Sequence, residues 1–186
     1  MPKLTKIIIM RHGESENNVS DVLSSSIDVP YRLTWKGRRQ VSEKASLLKK
    51  AEHIDFIISS PVVRAYETAK IVAECFDIPT TSIRIDSRLR EPFFGKAEGK
   101  TYQEYLALIN DQNDPYELEA MGGECGSAII QRINELLKEI VSAEKFYDKT
   151  ILLVTHSFTI CQILKIFGKH QKELPNQADY FIFELN

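Results

Sequence analysis

The run Ile7-Ile8-Ile9-Met10 leads directly into Arg11-His12-Gly13-Glu14. Three consecutive β-branched residues without polar alternation describe a strand buried on both faces. Such a strand needs cover above and below, which directs the chain to a layered α/β architecture. After the strand, Gly13 lets the backbone fold sharply, and Ser15 is placed to cap a helix beginning at Glu16. Arg11 and His12 therefore stand at the carboxyl end of a buried strand, facing a helix N-terminus. Open α/β sheets bind ligands there, and a phosphate suits the position.

The rest of the chain alternates strand and helix. Residues 19–33 read as a loop with Ser24-Ser25-Ser26 and Asp28-Val29-Pro30. Thr34 caps a helix to about Lys50, with Val41, Ala45 and Leu48 on one face. His53–Ser59 is a second strand. Ser60 caps the next helix and Pro61 starts it, and that helix runs to about Phe76. Thr81–Ile85 is a short third strand, and Arg88–Gly99 a loop around Glu91-Pro92. Two helices, about 101–112 and 124–144, are separated by Pro115 and Gly122-Gly123. TILLVT, residues 150–155, is another buried strand, and His156-Ser157 opens a helix to about Phe167. Residues 179–184 make the last strand. The expected fold is a three-layer α/β sandwich with a mostly parallel central sheet and helices on both faces. The length of 186 residues suits one domain over 1–186.

Composition removes several classes of function. The net charge of −2 provides no basic field for nucleic acid or an anionic membrane. No apolar stretch reaches the ~18 residues a membrane span needs, and the N-terminus lacks a signal-peptide pattern. Cys75, Cys125 and Cys161 are odd in number and widely spaced, without a C-x-x-C pair, so the chain is expected in a reducing cytoplasm.

Four segments carry the chemistry. R-H-G-E-S-x-x-N spans Arg11 to Asn18. S-S-P-x-x-R-A-x-x-T-A spans Ser59 to Ala69 and contains Arg64. L-x-E-x-x-F-G-x-x-E-G spans Leu89 to Gly99 and contains Glu91. V-x-H-S ends in His156-Ser157. Together they resemble the signature of the histidine phosphatase superfamily, which includes the cofactor-dependent phosphoglycerate mutases, and the resemblance reaches from Ile7 to at least Ser157. It implies a phosphoglycerate mutase-like fold, phosphorylation of His12 and proton donation to the leaving group by Glu91. Arg64 also has a physical warrant. An Arg in a first helical turn gains nothing from the macrodipole, so a bound anion explains it better than helix stability does. That segment alone is equally compatible with a surface Arg paired with Glu67 or Asp55.

The chain departs from the family pattern at three places. Ala97 stands where Trp is frequent, Ser157 where Gly is frequent, and Cys125 replaces Ser after Gly122-Gly123-Glu124. Cys125 is expected as a substituted cap, with Glu124 beginning the helix. Glu98 is expected to fix a loop. His53 and His170 are expected to be solvated, and Cys75 and Cys161 to pack on helix faces.

The chemical residues all fall just beyond predicted strand ends, where a parallel sheet would gather them. Two His and a carboxylate could also hold zinc, but Arg11 and Arg64 beside them would repel a dication. The expected function is a metal-independent, cofactor-free phosphomonoesterase acting on a small phosphorylated metabolite. His12 attacks phosphorus. Arg11, Arg64, Asn18, Ser157 and a protonated His156 hold the phosphoryl oxygens. Glu91 is acid and then base. A phosphoglycerate mutase-type phosphotransferase is the first alternative, and a non-catalytic phosphate-binding protein the second. Glu91 and Gly122 are only 31 positions apart, where the family's mutases carry a long insertion, and the intervening helix lacks a Lys/Arg cluster. Both features favour hydrolysis and disfavour doubly anionic substrates.

Overall fold

The computed structural model describes residues 4–108, 118–169 and 173–185. Its strands are β1 (Thr5–Arg11), β2 (Phe56–Ser59), β3 (Arg84–Ile85), β4 (Thr150–Thr155) and β5 (Tyr180–Leu185). They form one sheet in the order β3-β2-β4-β1-β5. β1 to β4 run parallel, and β5 closes one edge antiparallel to β1. The helices are α1 (Glu16–Val19), α2 (Trp35–Ala51), α3 (Val63–Cys75), α4 (Tyr102–Leu108), α5 (Gly126–Ser142) and α6 (Ser157–Ile166).

The two-residue period of a strand, applied to apolar runs, builds the three layers. Ile7 and Ile9 of β1 pack with Ile129 and Ile133 of α5 and Ile160 of α6. Ile8 and Met10 point the other way, onto Val41 and Ala45 of α2 and Ala65 and Ala69 of α3. β4 divides in the same manner, Ile151 and Leu153 to the first cluster and Leu152 and Val154 to the second. These eight strand residues are fully buried, each contributing about 1.5–3 kcal/mol of apolar transfer. A third cluster, including Phe94, Tyr105, Leu118 and Phe158, seats α4 beside the carboxyl end of β4, and Ala97 is fully buried within it.

Several expected boundaries shift. β2 begins at Phe56 rather than His53. Thr80–Ser82 coils into a 3-10 turn after Pro79, so β3 keeps only Arg84 and Ile85. α3 starts at Val63, two residues beyond Pro61, because the Ser60 hydroxyl accepts from the Val62 amide instead of capping a helix. α5 starts at Gly126 with Cys125 at its cap position, and Glu124 lies outside it. The described part of the helix expected over 101–112 is Tyr102–Leu108, and its remainder and His170 lie outside the described residues. His53 is exposed, 3.6 Å from Asp55.

Gly13 has a different reason from the expected sharp turn. Its φ is not left-handed. A Cβ there would lie 2.6 Å from the Gly37 carbonyl oxygen, and one on Gly37 would lie 1.9 Å from that of Glu14. The two glycines allow the first turn of α2 to press against the segment that follows β1.

Candidate active site

Strand register places the two histidines. Arg11 pairs with Thr155 across β1 and β4. The next residue of each strand is His12 and His156, and the His12 amide extends the ladder by donating to the Thr155 carbonyl at 3.0 Å. The imidazoles meet edge to face with centroids 5.1 Å apart. Ser59 pairs with Val154 on the other side of β4, which brings Ser60 level with the histidines. Its Oγ lies 2.8 Å from His156 Nε2. Arg64, in the first turn of α3, donates from Nε to His12 Nε2 at 3.1 Å and from Nη2 to the Ser24 carbonyl at 2.7 Å.

Glu91 reaches the same place from a loop pinned on both sides. Thr155 and Thr159 hydroxyls donate to the Leu89 and Arg90 carbonyls at 2.6 and 2.8 Å. Glu91 Oε1 accepts the Phe158 amide at 3.0 Å, and Oε2 stands 3.6 Å from His156 Nδ1. From outside, Glu124 ion-pairs with Arg90 and Arg132 at 3.2 and 2.9 Å, and its amide donates to the Phe93 carbonyl at 2.8 Å. Glu98 fixes a loop, accepting from the amide and hydroxyl of Ser25 at 2.9 and 2.7 Å. That loop carries the Ser24 carbonyl that holds Arg64.

Tautomers follow from the partners. His12 Nδ1 lies 2.7 Å from the Gly13 carbonyl, which can only accept. The proton is therefore on Nδ1, and the lone pair on Nε2 faces Arg64. Ser60 Oγ accepts from the Val62 amide and keeps both its hydrogen and a second lone pair for His156 Nε2, so this contact is compatible with either neutral tautomer of His156. Burial, then Arg64, then Arg11 hold the His12 pKa well below 6.5. Burial, then Arg64 and His12, do the same for His156. Burial beside two guanidiniums therefore disfavours the charged form of both imidazoles, which runs against the protonated His156 expected from the sequence. Burial lowers Arg11 and Arg64 to about 10, leaving both charged at neutral pH.

Among the described residues of the site, three buried nitrogens lack hydrogen-bond partners: Arg11 Nε, Arg64 Nη1 and His156 Nδ1. A buried unpaired donor costs roughly 1–3 kcal/mol, more when charged. Two of the three belong to guanidiniums that line one cavity with His12, a charge arrangement that suits an anion. Among the described residues, no three His, Cys, Asp or Glu side chains converge as ligands of a metal ion.

Arg11, His12, Asn18, Arg64, Glu91 and Ser157 all line one cavity of about 240 Å³. His156 is fully buried behind it. Asn18 is in the one-turn helix α1, where its Oδ1 accepts the Ser15 amide at 3.1 Å. The segment carrying Asp21 and Leu23, also at the wall, is bound edge to edge with Gly99–Tyr102 through Leu23 N to Lys100 O at 2.8 Å and Gly99 N to Leu23 O at 2.9 Å. The sequence alone did not assign the Ser60 hydroxyl or the Ser24 carbonyl to the site. Ser60 stood in a recognisable segment, but its partner is 96 residues away.

Fold and site together define an enzyme of phosphoric monoesters. The sequence profile of the histidine phosphatase superfamily, branch 1, matches residues 7–179, and the chain belongs to that superfamily. It is 34% identical over 160 residues to a 2,3-bisphosphoglycerate-dependent phosphoglycerate mutase of Thermoplasma acidophilum, covering 86% of this chain and 74% of that one. It is 27% identical over 159 residues to phosphoserine phosphatase 1 of Hydrogenobacter thermophilus, covering 83% and 72%. A solved structure of a mycobacterial glucosyl-3-phosphoglycerate phosphatase complexed with VO3 shares the fold, with TM-score 0.80, 24% identity and coverage of 96% and 90%.

Proposed function

We propose that this chain is a metal-independent phosphomonoesterase that works through a phosphohistidine at His12 Nε2, on a small phosphorylated metabolite. The observation that carries the reading is His12, its proton held on Nδ1 by the Gly13 carbonyl and its Nε2 facing Arg64, in one cavity with Arg11, Arg64 and Glu91. His12 Nε2 attacks phosphorus in line and the P–O bond to the leaving group breaks. Arg11 and Arg64 take the negative oxygens, His156 donates from neutral Nδ1, and Asn18 and Ser157 supply the remaining polar wall. Glu91 gives a proton to the leaving oxygen. It then removes one from the water that cleaves the phosphohistidine. The three cysteines, odd in number and without a C-x-x-C pair, fit a reducing compartment, and we place the enzyme in the cytoplasm, with no nucleic-acid or membrane partner.

The test is acid-free quench during turnover of a labelled monoester with metal chelated. Wild type should yield an acid-labile, base-stable phosphoenzyme, and folded His12→Ala should yield none and turn over at background. A fully active His12→Ala protein overturns the reading. Return transfer to the alcohol is the competing reading, favoured by the mutase activity in the Thermoplasma relative's name.

A further inference from the structure

The phosphoryl pocket is only the inner part of the cavity, and the charges on the outer part bear on the alcohol. Among the described residues, the charged groups at the cavity wall are Arg11, Arg64, Glu91 and Asp21. Both arginines serve the phosphoryl group, so beyond them the wall offers a carboxylate and no cation. A second cavity of about 450 Å³ meets the first at Glu91, which lines both. The leaving oxygen must lie beside Glu91, so the alcohol extends into one of these two spaces. The second cavity carries Asp28 and Glu98, with Ile27 and Phe93 as apolar walls, both more than half exposed. Its cation, Arg90, is held by Glu124. In sequence, the stretch from Thr101 to Gln131, which begins at the Tyr102 wall, contains six Asp and Glu and no Lys, Arg or His.

A carboxylate or second phosphate on the alcohol would lie among the like charges of Asp21, Asp28 or Glu98 in a solvated space, a repulsion that salt screens. An ammonium would find those same carboxylates as partners. Resting on the monoesterase reading, we infer that the substrate is the phosphomonoester of an alcohol bearing no anion of its own, with an amino alcohol favoured, because the two cavities meeting at Glu91 present Asp21, Asp28 and Glu98 to it against a single outer arginine among the described residues, Arg90, which already pairs with Glu124.

The experiment measures competition against metal-free hydrolysis of p-nitrophenyl phosphate, so that each ester is read whether or not it turns over. Glycerol 3-phosphate and 3-phosphoglycerate differ only by a hydroxymethyl group in place of a carboxylate. The inhibition constant of 3-phosphoglycerate should be at least tenfold weaker than that of glycerol 3-phosphate, with phosphoethanolamine equal to or tighter than the latter. Raising ionic strength should narrow the gap, and Asp21→Asn should reduce the ratio between 3-phosphoglycerate and phosphoethanolamine at least threefold. Equal constants, or tighter binding of 3-phosphoglycerate, overturn the substrate class while leaving the monoesterase reading intact. A protein that releases no p-nitrophenol without metal overturns the monoesterase reading, and the substrate class with it.

Discussion

Arg64 donates from Nε to His12 Nε2 at 3.1 Å, so the lone pair proposed to attack faces the guanidinium proposed to receive the phosphoryl oxygens. The same guanidinium is fixed by Ser24 through Nη2, and only Nη1 remains for a ligand. This is a forked arrangement, which an ammonium cannot reproduce. Arg64→Ala should lower kcat/KM on p-nitrophenyl phosphate by about 2–4 kcal/mol of transition-state stabilisation, as for a lost oxyanion donor. Arg64→Lys should restore the charge but stay at least tenfold below wild type. Full recovery by lysine would reduce Arg64 to a point charge.

Glu91 Oε1 accepts the Phe158 amide, and its other oxygen is turned toward His156. A general acid here matters in proportion to the basicity of the leaving group. Glu91→Gln should damage turnover of alkyl phosphates severely and that of p-nitrophenyl phosphate much less, provided phosphorylation of His12 limits the rate. Equal losses on both would make Glu91 a binding residue.

The layers were legible because β1 and β4 are buried on both faces, and only a strand covered above and below keeps a short apolar run unbroken by polar residues. Of the candidate site, Arg11, His12 and His156 were legible because they stand at or just beyond the carboxyl ends of β1 and β4, where sheet register converts chain position into spatial position, whereas Glu91 lies past a 3-10 turn beyond β3 and was legible from its segment. Local signals failed where distant partners decide. Ser60 looks like a helix cap, yet its hydroxyl lies against His156. Gly13 looks like a turn residue, yet Gly37, far along the chain, makes it necessary. The charge of His156 could not be read at all, because it depends on complete burial beside two guanidiniums.

That depressed protonation has a measurable consequence. Unfolded, His12 and His156 titrate near ~6.5. Folded, both are held well below that, first by burial. As pH falls below about 6.5 the unfolded chain binds protons that the folded chain does not, so stability falls, by up to ~1.4 kcal/mol per pH unit for each histidine until its folded pKa is reached. Tm should therefore drop from pH 7 to 5.5, and His12→Gln should flatten about half of that slope. Inorganic phosphate should flatten it too, by giving a protonated His156 a counter-charge. An unchanged slope in His12→Gln would show that His12 is not held neutral.

Glu124 joins the Glu91 loop to α5 through Arg90 and Arg132, and Arg132 is largely buried. Glu124→Ala leaves that guanidinium without its carboxylate, which should cost about 3 kcal/mol of stability in chemical unfolding. At temperatures where the variant is folded, kcat should fall more than KM rises, since the loop carrying the acid is loosened while the phosphate donors stay in place. An unaltered kcat would disconnect the Gly122-Gly123-Glu124 segment from catalysis.

Hydrolysis against return transfer turns on water. A phosphohistidine is cleaved if water reaches it while Glu91 is poised as a base, so a mutase has to keep the site covered until the alcohol has turned round. Among the described residues the cover is α4, seven residues joined to the Asp21–Leu23 segment by backbone hydrogen bonds, and the cavity beneath it lies beside a second open space at Glu91. Such a cover should open quickly relative to return transfer. Given 3-phosphoglycerate, the enzyme should release phosphate at least tenfold faster than it forms 2-phosphoglycerate, with no priming by a bisphosphate. If 2-phosphoglycerate accumulates faster than phosphate, or only after 2,3-bisphosphoglycerate is added, the phosphoryl group is being sheltered and the chain is a mutase.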